Sequence, residues 1–71
     1  MNYPESLKEK AEKIKDEVRS GKLEEEKIKA IAKSAVELLR SEEKSHTHYA
    51  EVVGAIAANL EDFFKSYLKE D

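Results

Sequence analysis

The chain has 71 residues, 13 of them basic and 16 acidic, and a formal net charge of −3 at pH 7. A chain of this length forms one domain with a small core, so self-association is a realistic way for it to bury apolar surface. The chain has no cysteine, which excludes disulfides, thiolate nucleophiles and thiolate metal sites. Charges of both signs alternate along the chain without a basic cluster, so we expect no nucleic-acid binding and no binding to an anionic membrane.

The sequence also argues against membrane insertion and secretion. No apolar run approaches the roughly 20 residues of a membrane span, and the charged start "MNYPESLKEK" is not a signal peptide. We therefore expect a soluble, cytoplasmic protein. The chain is rich in Lys and Glu and lacks Gln and Trp, a composition typical of a thermostable or a designed protein. Gly54 and the His-Thr-His cluster favour a natural origin over design.

The first helix is predicted at about residues 4–20. Pro4 suits a first helical position, and Gly21 can end the helix in the left-handed conformation. Apolar residues recur on one face at helical spacing. They are Leu7, Ala11, Ile14 and Val18.

The second helix is predicted at about residues 23–41. Its core side comprises Ile28, Ile31, Ala32, Ala35, Val36 and Leu39, with Leu38 widening the apolar face. The connection from the first helix is very short, so the two helices should be antiparallel neighbours.

The stretch "RSEEKSHT" allows two interpretations. Apolar and polar residues follow an unbroken spacing of four and three from Ile28 to Tyr67, which indicates one long helix to about residue 69. The polar run instead favours a turn, with Ser41 or Ser45 capping a third helix at about residues 46–69. We favour the turn because small domains hide their core within one chain. The predicted fold class is all-α: a small single-domain helical bundle of three helices, or an antiparallel hairpin with one long helix.

The last stretch is the most apolar part of the chain and gives the predicted interface. The candidate interface residues are Val53, Ile56, Leu60, Phe63, Phe64 and Tyr67. Their apolar surface exceeds what a chain of this size readily hides. We therefore expect a non-enzymatic module, with no catalytic residues and no cofactor, that packs against itself or another protein.

A different function is suggested by "EKSH", in which Glu43 and His46 project from one helix face and could chelate iron, manganese or zinc. The segment "SEEKSH" resembles the Glu-x-x-His segment of ferritin-like proteins, and in particular of encapsulated ferritins. The resemblance covers residues 40–67. It implies a dimer that binds iron and has ferroxidase-like activity, with Glu43 and His46 as ligands. Further ligands would come from Glu5, Glu9, Glu42 or His48. The alternative is that these residues form a solvated surface, because a Glu-rich chain contains such a motif by chance.

Overall fold

The structure is a computed structural model that describes residues 3–68, and within this range it contains helices and no strands. Helix α1 spans Glu5–Arg19, α2 spans Glu25–Ser45, α3 spans Ala50–Phe63 and the short α4 spans Lys65–Leu68. A single 3₁₀ turn, Thr47–Tyr49, joins α2 to α3. The predicted all-α bundle is confirmed. No helix in the described range is long and apolar enough to cross a membrane.

Helix α1 ends where its sequence predicts. The Gly21 φ of 75° lies in the left-handed region, and its N–H donates to the Val18 carbonyl at 3.2 Å. The Ser20 hydroxyl donates to the Glu17 carbonyl at 2.6 Å. These contacts satisfy carbonyl groups that the last helical turn leaves without partners, and they reverse the chain towards α2.

The chain turns at His46, which excludes one continuous helix through this region. Helix α2 continues to Ser45, and the backbone then changes at His46 to φ −117° and ψ 75°. The His46 carbonyl accepts a hydrogen bond from the Tyr49 N–H at 2.9 Å. The expected serine cap is wrong, because Ser41 and Ser45 lie within α2 and no side chain caps α3. The unbroken heptad spacing therefore does not correspond to one helix.

The core forms mainly between α2 and α3, which pack against each other more extensively than either packs against α1. Both helices contribute small and large apolar side chains, and α1 adds two. The buried apolar residues are Leu7, Ala11, Ile28, Ala32, Ala35, Leu39, Val53, Ala57, Leu60 and Phe64. Ala32 and Ala57 are fully buried, and such small side chains let helices approach closely. The C-terminal part of the predicted third helix is broken at Phe64, and Lys69 lies outside the described residues.

Candidate functional site

The predicted metal ligands are not assembled into one site. The nearest partner of His46 is Glu42, with Nε2 and Oε2 3.7 Å apart, whereas Glu43 contacts Arg40. Glu9 lines the outer surface of α1 among other charged residues of that helix, and His48 packs edge-on against Tyr49 with ring centroids 4.8 Å apart. In residues 3–68, no three His, Asp or Glu side chains are grouped closely enough to hold a metal ion.

Glu43 belongs to an ionic network that joins α2 to α3. The Arg40 guanidinium donates to both Glu61 oxygens, from Nη2 to Oε1 at 2.5 Å and from Nε to Oε2 at 3.2 Å. Its Nη1 donates to Glu43 Oε1 at 2.9 Å. The hydrogen bonds that Arg40 donates to Glu61, and then the one that it donates to Glu43, raise the pKa of Arg40 above its ordinary value. Two-point binding of a carboxylate by a guanidinium fixes both position and orientation, so this network aligns the two helices.

Gly54 allows the Glu43 carboxylate to approach the α3 backbone. A Cβ atom placed on Gly54 would lie 2.6 Å from Glu43 Oε2, which is shorter than real Cβ contacts. The glycine is in the middle of a helix, where it costs helix propensity relative to alanine. Close approach of a polar side chain from α2 is therefore its structural role.

A second polar contact joins α1 to α3. Lys15 is 8% exposed, and its Nζ lies 2.5 Å from Asn59 Oδ1 and 2.8 Å from Glu12 Oε2. The same ammonium lies 6.0 Å from the Phe63 ring centroid, and the Arg19 guanidinium lies 5.2 Å from it. Sequence reasoning missed Lys15 because lysine is normally exposed. The available signal was its position, four residues after Ala11 on the buried row of α1.

The histidine turn is packed by aromatic rings. The Tyr3 ring centroid lies 4.7 Å from that of His46 and 5.1 Å from that of Tyr49. The Tyr3 hydroxyl is buried and has no hydrogen-bond partner among the described residues. Burial chiefly, and then the charges of Glu42 and Tyr49, raise the pKa of Tyr3. Tyr3, which precedes α1, thus contacts the turn between α2 and α3, and His46 packs against its ring.

The predicted interface residues divide into two groups. Val53, Leu60 and Phe64 are fully buried within the chain, where α2 and α1 cover them. They cannot contact a partner unless the core opens, so their assignment to an accessible interface is corrected. Ile56, Phe63 and Tyr67 are only partly buried and pack at the edge of the core.

Two surface grooves with largely apolar linings lie one on each side of α1. The first, which we call the α1–α2 groove, is formed by Ile14, Ala30, Ile31, Ser34, Ala35 and Leu38. The second, the α1–α3 groove, is formed by Lys8, Ala11, Glu12, Lys15, Val52, Ala55, Ile56 and Asn59. Leu38 is 53% exposed and Val52 is 50% exposed, and among residues 3–68 they are the most exposed large apolar side chains. Leu38 therefore does not widen the core, as the sequence suggested, but lines an open surface.

Residues 3–68 thus form a small all-α bundle in which polar side-chain contacts join α3 to both α1 and α2, and apolar grooves lie beside α1. The chain is 57% identical over 68 residues to the SPbeta prophage-derived uncharacterized protein YorV of Bacillus subtilis (strain 168), and the alignment covers 96% of this chain and 94% of that protein. The chain belongs to the family of that protein. No protein-family model and no solved structure matches it.

Proposed function

We propose that this protein is a non-enzymatic helical module that acts through contact with a protein surface, either a second copy of itself or another protein. The observation that carries the proposal is the α1–α2 groove. Its lining is almost entirely apolar, and Leu38 stands half exposed within it. Covering such a groove removes apolar surface from water, which is the usual driving force of protein association.

The polar contacts support the same function. Arg40 and Lys15 each donate a hydrogen bond to a side chain of α3, Arg40 to Glu61 and Lys15 to Asn59. Such contacts stabilise a scaffold, whereas a hydrolytic site requires a nucleophile aligned with a base and an open position for substrate. The relative in Bacillus subtilis is prophage-derived, and we extend a phage origin to this chain.

Site-specific photo-crosslinking tests the proposal. A photoreactive amino acid would replace Leu38 or, separately, Val52, and Lys10 on the exposed side of α1 would serve as the control position. In cells that produce the chain, we expect discrete protein adducts from at least one groove position and none from position 10. Absence of adducts from both groove positions would overturn the proposed function.

The alternative of an iron protein is not favoured by the contacts. Its two central ligands would be Glu43 and His46, yet Glu43 is bonded to Arg40 and His46 lies beside Glu42. A metal ion at Glu43 would have to share that carboxylate with the Arg40 guanidinium, whose positive charge disfavours a second cation there. Anaerobic titration with iron(II), monitored by native mass spectrometry, tests this alternative. Iron bound in a fixed ratio to the unaltered chain, and lost in Glu43→Ala and His46→Ala, would establish it.

A further inference from the structure

We infer that the occupant of the α1–α2 groove is a second copy of this chain, with the two α2 helices packed antiparallel and crossing at the level of Ala35. This inference rests on the proposed function and names its partner. The interface would be the same surface on both copies, as a two-fold symmetric dimer requires.

The exposed face of α2 has the shape that such packing needs. Ala30, Ser34 and Leu38 follow one another at intervals of four residues, so they lie along one line of the helix. Ala30 and Ser34 are exposed and small, which permits a second helix to approach closely. Ile31, half buried beside this line, supplies apolar contact area together with Leu38.

Apolar side chains are matched under antiparallel pairing. Ile31 lies four residues before Ala35 and Leu38 lies three residues after it. When two α2 helices run in opposite directions through this level, Ile31 of each copy lies beside Leu38 of the other. Ile14 of α1 also lines the groove and would extend the apolar contact on the α1 side.

The charged residues next to this face favour a second copy of the chain, with its α2 helix in the antiparallel direction. Glu26, Lys33, Glu37 and Lys44 lie on one side of the apolar face, because intervals of seven and four residues return to the same side of a helix. All four are exposed. None of them makes an ion pair within 4 Å anywhere in the described part of the chain.

Their order along α2 is complementary to itself when reversed. Glu26 and Lys44 lie nine residues before and after Ala35, and Lys33 and Glu37 lie two residues before and after it. Antiparallel pairing thus sets Glu26 of each copy against Lys44 of the other, and Lys33 against Glu37. Parallel pairing about a two-fold axis along the helices would instead place these charges of the two copies on opposite sides of the dimer, where they could not pair.

Sedimentation velocity over a range of concentrations tests the inference. We expect the unaltered chain of 8.1 kDa to form a dimer. Lys33→Glu and Glu37→Lys should each weaken dimerisation by about tenfold, because both symmetric pairs change from attraction to repulsion. An equimolar mixture of these two variants should dimerise, since one copy then carries two acidic and the other two basic residues at these positions. Their circular dichroism spectra serve as the control for folding.

Leu38→Lys and Val52→Lys form a matched pair for the location of the interface. Both side chains are half exposed, so both variants should fold. We expect Leu38→Lys to abolish the dimer and Val52→Lys to leave it unchanged. The opposite result would overturn the inference while leaving the proposed function intact, because association would then use the α1–α3 groove.

Single cysteines report the direction of the helices, since the chain contains no other cysteine. Antiparallel pairing at Ala35 leaves the two Ser34 positions about 3 Å apart along the axis and the two Ala30 positions about 15 Å apart. A disulfide requires Cα atoms within about 7 Å. We therefore expect oxidative cross-linking of Ser34→Cys and none of Ala30→Cys, whereas efficient cross-linking of both would overturn the antiparallel arrangement.

A monomer at every concentration would overturn the homodimer. The photo-crosslinking experiment then decides the proposed function separately, because an adduct from position 38 with a different protein would sustain that function. A monomer that also gives no adducts from either groove position would overturn both the homodimer and the proposed function.

Discussion

The two sides of α2 differ in how completely they are covered. Towards α3, α2 packs against fully buried Val53 and Leu60, and Arg40 bonds across the boundary to Glu61. Towards α1, the boundary is an open apolar groove, and no hydrogen bond or ion pair joins side chains of α1 and α2 in residues 3–68. The first boundary therefore holds the fold together, and the second leaves apolar surface available for another molecule.

The strongest test of this difference compares a leucine at each boundary. Leu60→Ala removes a fully buried side chain and should lower the free energy of unfolding by about 2–5 kcal/mol, because it leaves a cavity in the core. Leu38→Ala removes a half-exposed side chain and should cost about 1 kcal/mol or less. Urea unfolding at a protein concentration too low for association measures both. Equal losses would contradict the distinction between the two boundaries.

A smaller effect is expected from the ionic network between α2 and α3. Arg40→Met keeps most of the aliphatic side chain but leaves the Glu43 and Glu61 carboxylates near each other without their shared cation. The urea midpoint should fall, though less than in Leu60→Ala, because all three side chains are partly exposed to solvent. Lys29→Met is the control, since it breaks only an exposed ion pair with Glu25 within α2. Equal urea midpoints for the two variants would show that the contacts between Arg40 and α3 add no more stability than an exposed ion pair within one helix.

Gly54 provides a still finer test of the same boundary. Gly54→Ala gains up to about 1 kcal/mol of helix propensity, but the new methyl group must displace the end of the Glu43 side chain. The substitution should therefore stabilise the protein more in a Glu43→Ala background than in the unaltered chain. A double-mutant cycle of unfolding free energies measures this coupling. Additive effects would show that the close approach of Glu43 contributes nothing.

The α2 part of the core was predictable from sequence, whereas the turn was not. Ile28, Ala32, Ala35 and Leu39 follow helical spacing and are buried as predicted, because burial of one face is the main constraint on an amphipathic helix. The turn at His46 has no glycine or proline to announce it. It contacts the Tyr3 ring, which is distant in sequence, and local patterns do not report such contacts.

The candidate site was less predictable than the fold, for a related reason. Apolar spacing marks Leu60 and Phe64 as belonging to a buried face, but it does not say whether the same chain or another chain covers that face. Leu38 illustrates the converse. It lies next to Leu39 in sequence and has the same side chain, yet a rotation of one residue places it outside the core. Which neighbour covers a helix is a property of the tertiary arrangement.

The smallest expected effect concerns pH and the boundary between α1 and α3. The hydrogen bond from Lys15 chiefly, and then the positive charge of Lys15, lowers the pKa of Glu12 below its ordinary value of 4.5. Because the pKa is lower in the folded state, this contact stabilises the fold above the unfolded-state pKa, and that contribution is lost as pH falls through the folded-state pKa. Lys15→Met should return the pKa of Glu12 towards 4.5, as measured by NMR titration of its carboxyl carbon. An unchanged pKa in Lys15→Met would mean that Lys15 joins α1 to α3 through Asn59 and Phe63 without a significant electrostatic contribution from Glu12.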